Sequence, residues 1–160
     1  MTIETTHSLA DRQAKVLTYL GAIPFIIAVL IGLNIHVSFP EILGGDIAYA
    51  SFKAKALVHS YAVVILSFLG GIQWGISLRE PVTRRLYIVS NVIALAAWLS
   101  LIVFTKSEGL IIVLLGFIVA LWVDQKAHNR GMIPSWFWQL RIKVTAIVCL
   151  SLLLIIALTW

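Results

Sequence analysis

The sequence predicts an all-α integral membrane protein: a bundle of five transmembrane helices, with the N-terminus in the cytoplasm and the C-terminus outside. Three observations lead there. The chain is 61% hydrophobic over 160 residues, and its mean hydropathy of +1.00 is too high for an ordinary water-soluble domain. Five apolar runs can be counted, roughly Val16–Val37, Ala56–Leu78, Leu86–Phe104, Leu110–Val123 and Val144–Trp160. Lysine and arginine gather at alternate ends of those runs. One side collects Arg12, Lys15, Arg79, Arg84, Arg85, Lys126, Arg130, Arg141 and Lys143; the other has Lys53, Lys55 and Lys106. Nine against three places the N-terminal side inward by the positive-inside rule. The length fits a single transmembrane domain, 1–160.

The segment Met1–Lys15 is polar and lacks the apolar core of a signal peptide, so the first run is expected to remain as an anchor. Pro24 removes a backbone donor within that run, and a kink is expected there. Ser38-Phe-Pro-Glu41 has the spacing of a capping box, Gly44-Gly45 ends it, and Asp46 then caps a long second helix. The fourth run has only 14 residues, about 21 Å of helix, with Glu108, Asp124 and Lys126 expected to snorkel from its ends. Ser135-Trp-Phe-Trp138 is an aromatic cluster suited to a headgroup boundary.

The second run is the one around which the others are expected to pack. It carries no charge between Ala56 and Leu78. Wound at about 100° per residue, Ser60, Ser67, Gly71 and Trp74 share an arc of roughly 60°, with Gly75 beside it. Gly71 and Gly75 form a GxxxG pair next to Gly70, and small residues at that spacing let helix backbones approach closely in lipid. This reads as a helix-packing seam, within one chain or between two.

Signals for chemistry are sparse. No Asp or Glu falls inside an apolar run, which argues against an ion-coupled pump. No nucleophile–base pair, phosphate loop or HExxH spacing is present, so catalytic residues are none. Cys149 is the sole cysteine and cannot form an internal disulfide. His59 lies about one turn inside the second run, and His36 ends the first. Two histidines on adjacent helices can ligate haem or a metal, or can bond to water and backbone near the headgroups. A second group, Gln73, Trp74, Asn91, Trp98, Gln139 and Arg141, falls at the inner ends of three runs. It reads either as a pocket for an anionic lipid headgroup or quinone-like ring, or as interhelical hydrogen bonds and helix-end anchors. The net charge of +5 belongs to membrane flanks rather than to a nucleic-acid surface. No cofactor is expected, and no metal.

Gly21-Ala-Ile-Pro-Phe25, Tyr61, Ser67-Phe-Leu-Gly-Gly-Ile-Gln-Trp-Gly75, Ala97-Trp98-Leu99 and Trp136-Phe-Trp-Gln-Leu-Arg141 with Thr145 together resemble domain of unknown function family 3429. That family comprises small bacterial inner-membrane proteins with a mitochondrial transmembrane relative. The resemblance implies a multi-pass protein of the bacterial inner membrane and no agreed activity. It also implies histidine as a frequent occupant of the Gln73 position, so glutamine here points to hydrogen bonding rather than metal ligation. The reading that follows is a non-catalytic accessory, assembly or stabilising factor. Its partners would be membrane lipids and other inner-membrane subunits, of a respiratory complex if the mitochondrial link is followed, or further copies of itself. The alternative is a lipid-, quinone- or haem-binding protein or a small transporter.

Overall fold

In lipid no water is available to satisfy backbone N–H and C=O groups, and a chain this apolar must close its hydrogen bonds within helices. The computed structural model describes residues 3–33, 47–79, 84–103 and 107–159, and every element among them is helical. The helices are α1 (Ile3–Leu20), α2 (Ile23–Gly32), α3 (Ile47–Arg79), α4 (Arg84–Val103), α5 (Ser107–Asn129) and α6 (Ser135–Thr159). His36, the Ser38–Glu41 capping box, Gly44, Gly45 and Asp46 lie outside the described residues.

Four stretches are long and apolar enough to cross a membrane: Asp11–Gly32, Lys55–Leu78, Ser107–Asn129 and Ser135–Leu158. The fifth apolar helix, Leu86–Ile102, is shorter. This reverses one expectation. The run counted as short, Leu110–Val123, sits within a 23-residue helix because Ser107–Gly109 and Asp124–Asn129 continue it at both ends. The third run is the short one.

The first span is broken where Pro24 predicts. Gly21 and Ala22 form a turn between α1 and α2, with Pro24 in the first turn of α2. The amide of Phe25 bonds to Ala22 O at 3.2 Å instead of reaching Gly21. The freed Gly21 carbonyl accepts from the Tyr61 hydroxyl of α3 at 2.9 Å. One of the carbonyls opened at this break is thus satisfied by a neighbouring helix.

Packing closes the helices into a ring: α2 against α3, α3 against α4, α4 against α5, α5 against α6, and α6 back against α2. A further contact, α3 with α5, crosses the middle. The second span therefore has three main neighbours rather than all four, with α6 on the far side of the ring. Phe25, Leu66, Leu110, Phe117 and Leu152 fill the interior. Phe25 stacks at a tilt on Tyr61 (centroids 5.3 Å) and edge-on against Phe117 (6.2 Å). Two glycines set how close the helices come. A Cβ on Gly116 would collide with the Leu66 side chain, and one on Gly70 would lie 3.0 Å from Ser90 O of α4.

A tight turn joins α5 to α6 and fixes their register. Gly131 takes the left-handed conformation (φ 73°) that favours glycine. Its amide bonds to His128 O and that of Met132 to Ala127 O, which closes the helix end as a Schellman motif. The His128 ring donates from Nδ1 to Ile133 O at 3.2 Å and stacks on Trp138.

Candidate functional site

At one end of the ring, three polar side chains from three helices meet where surrounding residues are apolar. Gln73 of α3, Asp124 of α5 and Arg141 of α6 are 1%, 4% and 5% exposed. Arg141 Nε donates to Asp124 Oδ2 at 2.7 Å, the one ion pair among the described residues. Gln73 Nε2 donates to Asp124 Oδ1 and to Ala120 O, each at 3.2 Å. These two acceptors fix the amide orientation, since the flipped rotamer would set Oε1 against a carboxylate. Ser77 Oγ donates to Gln73 O at 3.1 Å. Around this core Gln73 Oε1, Arg141 Nη2 and Thr145 Oγ1 are buried without a hydrogen-bond partner among the described residues.

Chemically the arrangement is a clamp. The carboxylate of α5 accepts from Arg141 of α6 and from Gln73 of α3, so one side chain ties three helices together. Its electrostatic effect is to neutralise two charges that would be costly alone at this depth.

The opposite end carries a second polar junction. His59 Nε2 lies 2.9 Å from Ser100 Oγ, and Ser100 Oγ donates to Ala97 O at 2.6 Å. With the Ser100 hydroxyl proton directed to Ala97 O, Ser100 Oγ has lone pairs free to accept from His59 Nε2. Gly109 of α5 makes room for the ring: a Cβ there would collide with His59 Cε1 and stand 3.0 Å from Ser100 O. One turn before His59, Lys55 Nζ donates to Ser107 Oγ at 2.8 Å. His59 thus joins α3 to α4 beside the start of α5, with Nε2 committed to a serine. No group of three metal-ligating side chains occurs among the described residues.

The structure distributes the remaining sequence-selected residues differently from the expectation. Gly70 is buried at the α3–α4 contact, but Ser60, Ser67, Gly71, Trp74 and Gly75 all lie on the exposed side of α3. No described atom comes within 4 Å of a Cβ built on Gly71 or Gly75. Ser60 turns its hydroxyl back to Ala56 O and Leu57 O of its own helix. The GxxxG stripe is therefore no seam between described helices of this chain. The inward face is instead Val58, His59, Ala62, Leu66, Leu69, Gln73 and Ser77. The physical reason is that lipid is as apolar as a leucine side chain, so burial follows the side chains that need polar partners, here His59 and Gln73.

The six-residue pocket does not assemble either. Gln73 and Arg141 meet through Asp124, whereas Trp74 packs edge-on against Tyr87 at 4.9 Å. Asn91 is exposed and returns its amide to Tyr87 O at 2.7 Å. Trp98 is exposed. Gln139 lines a separate groove with Lys15, Tyr19, Trp136, Leu140 and Lys143.

Asp124 is the residue that sequence reasoning missed: it was expected as a snorkelling end and is buried inside the bundle. A signal was present. Among the buried positions of α5, Leu110, Val113, Phe117, Ala120, Asp124 and Ala127 follow three–four spacing, which carries the inward stripe through the carboxylate. An acid in register with a core stripe calls for a buried cation, and Arg141 supplies it.

The fold and both junctions make comparison with known proteins informative. Residues 10–157 match the family described as "Protein of unknown function (DUF3429)". The chain belongs to that family. The DUF3429 match includes α2 to α5, all of α6 but its last two residues, and every member of both polar junctions. The chain is also similar to Transmembrane protein 69 of Xenopus tropicalis, 32% identical over 148 residues. That alignment covers 89% of this chain and 53% of the relative, so the chain spans about half the length of the curated protein it matches. No solved structure matches.

Proposed function

We propose that this DUF3429 chain is a non-catalytic component of the bacterial inner membrane that binds another membrane protein, or a second copy of itself, through the exposed stripe of α3. One observation carries the reading. Ser60, Ser67, Gly71 and Gly75 leave a shallow, uncharged strip on a long helix, and no described part of the chain covers the two glycines. In lipid such a strip gives a partner helix close backbone approach at little cost. The polar side chains at the two junctions are engaged in joining helices, which supports a scaffold over an enzyme.

The test is to replace both glycines, G71L/G75L, and follow the mass of the complex in mild detergent with and without crosslinking. The expected result is loss of the larger species with an unchanged melting temperature, because no described residue comes within 4 Å of a Cβ at either position. An unaltered complex, or a wild-type protein that is only ever monomeric, refutes the reading.

The proposed orientation places the N-terminus in the cytoplasm, supported by the nine basic residues on α1, at the α3–α4 connection and around the α5–α6 turn, against three at the other ends of the apolar runs. A reporter fused after Trp160 should then be active only outside the inner membrane. Cytoplasmic activity of that fusion would reverse the orientation.

A further inference from the structure

A groove between α1 and α6 brings two lysines together with no acidic residue among those that line it. It has a volume of about 220 Å³ and is lined by Lys15, Tyr19, Trp136, Gln139, Leu140 and Lys143. Asp11, one turn before Lys15, forms no ion pair with it. The two ammonium groups come from different helices, so their convergence is a product of the fold rather than of a basic run in the sequence.

The groove is also organised by its aromatic wall. Lys15 Nζ stands 5.4 Å from the Trp136 ring centroid, which holds the cation over the indole face. Trp136 packs edge-on against Phe137. Gln139 and Tyr19 add neutral hydrogen-bonding groups, and Leu140 forms an apolar floor. Toward the C-terminal half of α1 its exposed side is apolar, with Val16, Leu17 and Leu20 each more than half exposed beyond Arg12 and Gln13.

We propose that this groove binds the phosphate of an anionic phospholipid, with Lys15 and Lys143 flanking the phosphodiester, Gln139 and Tyr19 bonding to the headgroup, and an acyl chain lying along the apolar side of α1. Charge complementarity selects the occupant: two lysines and no carboxylate disfavour a zwitterionic headgroup, whose own ammonium would face them. The adjoining apolar strip selects a lipid over a free anion, because only a lipid fills both surfaces. Gln139 thus has a lipid-facing role apart from Gln73 and Arg141, which are occupied with Asp124.

The experiment is native mass spectrometry of the protein in mild detergent, titrated with phosphatidylglycerol, phosphatidylcholine or inorganic phosphate. Wild type should retain phosphatidylglycerol over phosphatidylcholine by about tenfold, the effect expected of one to two lysines near a lipid phosphate. K15Q/K143Q should abolish that preference. Both lysines are exposed, so the variant should keep its melting temperature. K126Q/R130Q removes the same charge from residues at the α5–α6 turn that do not line the groove, and should leave the preference intact. Equal retention of the two lipids by wild type overturns the proposal. So does an equal loss in K126Q/R130Q, which would mean general surface attraction, or equal occupancy by inorganic phosphate, which would mean a free-anion site.

Discussion

Asp124→Leu is expected to be the most damaging single substitution in the chain. It removes the carboxylate that accepts from both Arg141 and Gln73 and leaves the guanidinium buried among α3, α5 and α6. Arginine cannot neutralise itself by losing a proton, so the uncompensated charge is expected to cost about 3–5 kcal/mol. Arg141→Met should cost less, because the remaining carboxylate keeps its bond from Gln73. Thermal unfolding in one detergent, followed by helical circular dichroism, checks the order: wild type above Arg141→Met, and Arg141→Met above Asp124→Leu. Equal melting temperatures for all three would mean that the pair is solvated and contributes nothing.

Gly109→Ala is the second large effect, and it acts at the other end of the bundle. In an exposed helix position the change from glycine to alanine stabilises by up to about 1 kcal/mol. Here the new methyl would collide with the His59 ring and sit 3.0 Å from the Ser100 carbonyl oxygen. Moving the ring breaks its bond to Ser100, and relieving the carbonyl contact pushes α4 from α5. Overpacking of this kind costs about 1–3 kcal/mol, enough to reverse the sign of the propensity gain. Gly71→Ala provides the internal comparison, since it has the same chemistry and no described neighbour within 4 Å. The prediction is a lowered melting temperature for Gly109→Ala and an unchanged or raised one for Gly71→Ala. Equal shifts for the two would contradict the packing described.

Much of the architecture was legible because lipid imposes strong rules on sequence. Apolar runs and their flanking charges gave the helices, and Pro24 marked the break between α1 and α2. The facing of α3 was harder. Glycines and serines at GxxxG spacing suit either an internal contact or an external one, and nothing in α3 alone separates the two. The deciding residues are polar ones whose partners lie far away in sequence: His59 with Ser100, and Gln73 with Asp124. Asp124 itself was hidden by its place at the end of an apolar run, where a carboxylate ordinarily marks the membrane boundary. Its pairing with Arg141, 17 residues on, depends on the tight turn at Gly131 bringing α6 back alongside α5. The α1–α6 groove was out of reach for the same reason, because Lys15 and Lys143 are brought together only by ring closure.

The measurement that bears most directly on this picture is a double-mutant cycle on Asp124 and Arg141. If a buried, mutually neutralising pair fastens α5 to α6, the doubly substituted D124L/R141M protein should unfold within about 1 kcal/mol of wild type, although D124L alone is strongly destabilised. A double variant that is as unstable as the sum of its single changes would show that the two side chains do not share a partner, and the clamp at that end of the bundle would have to be abandoned.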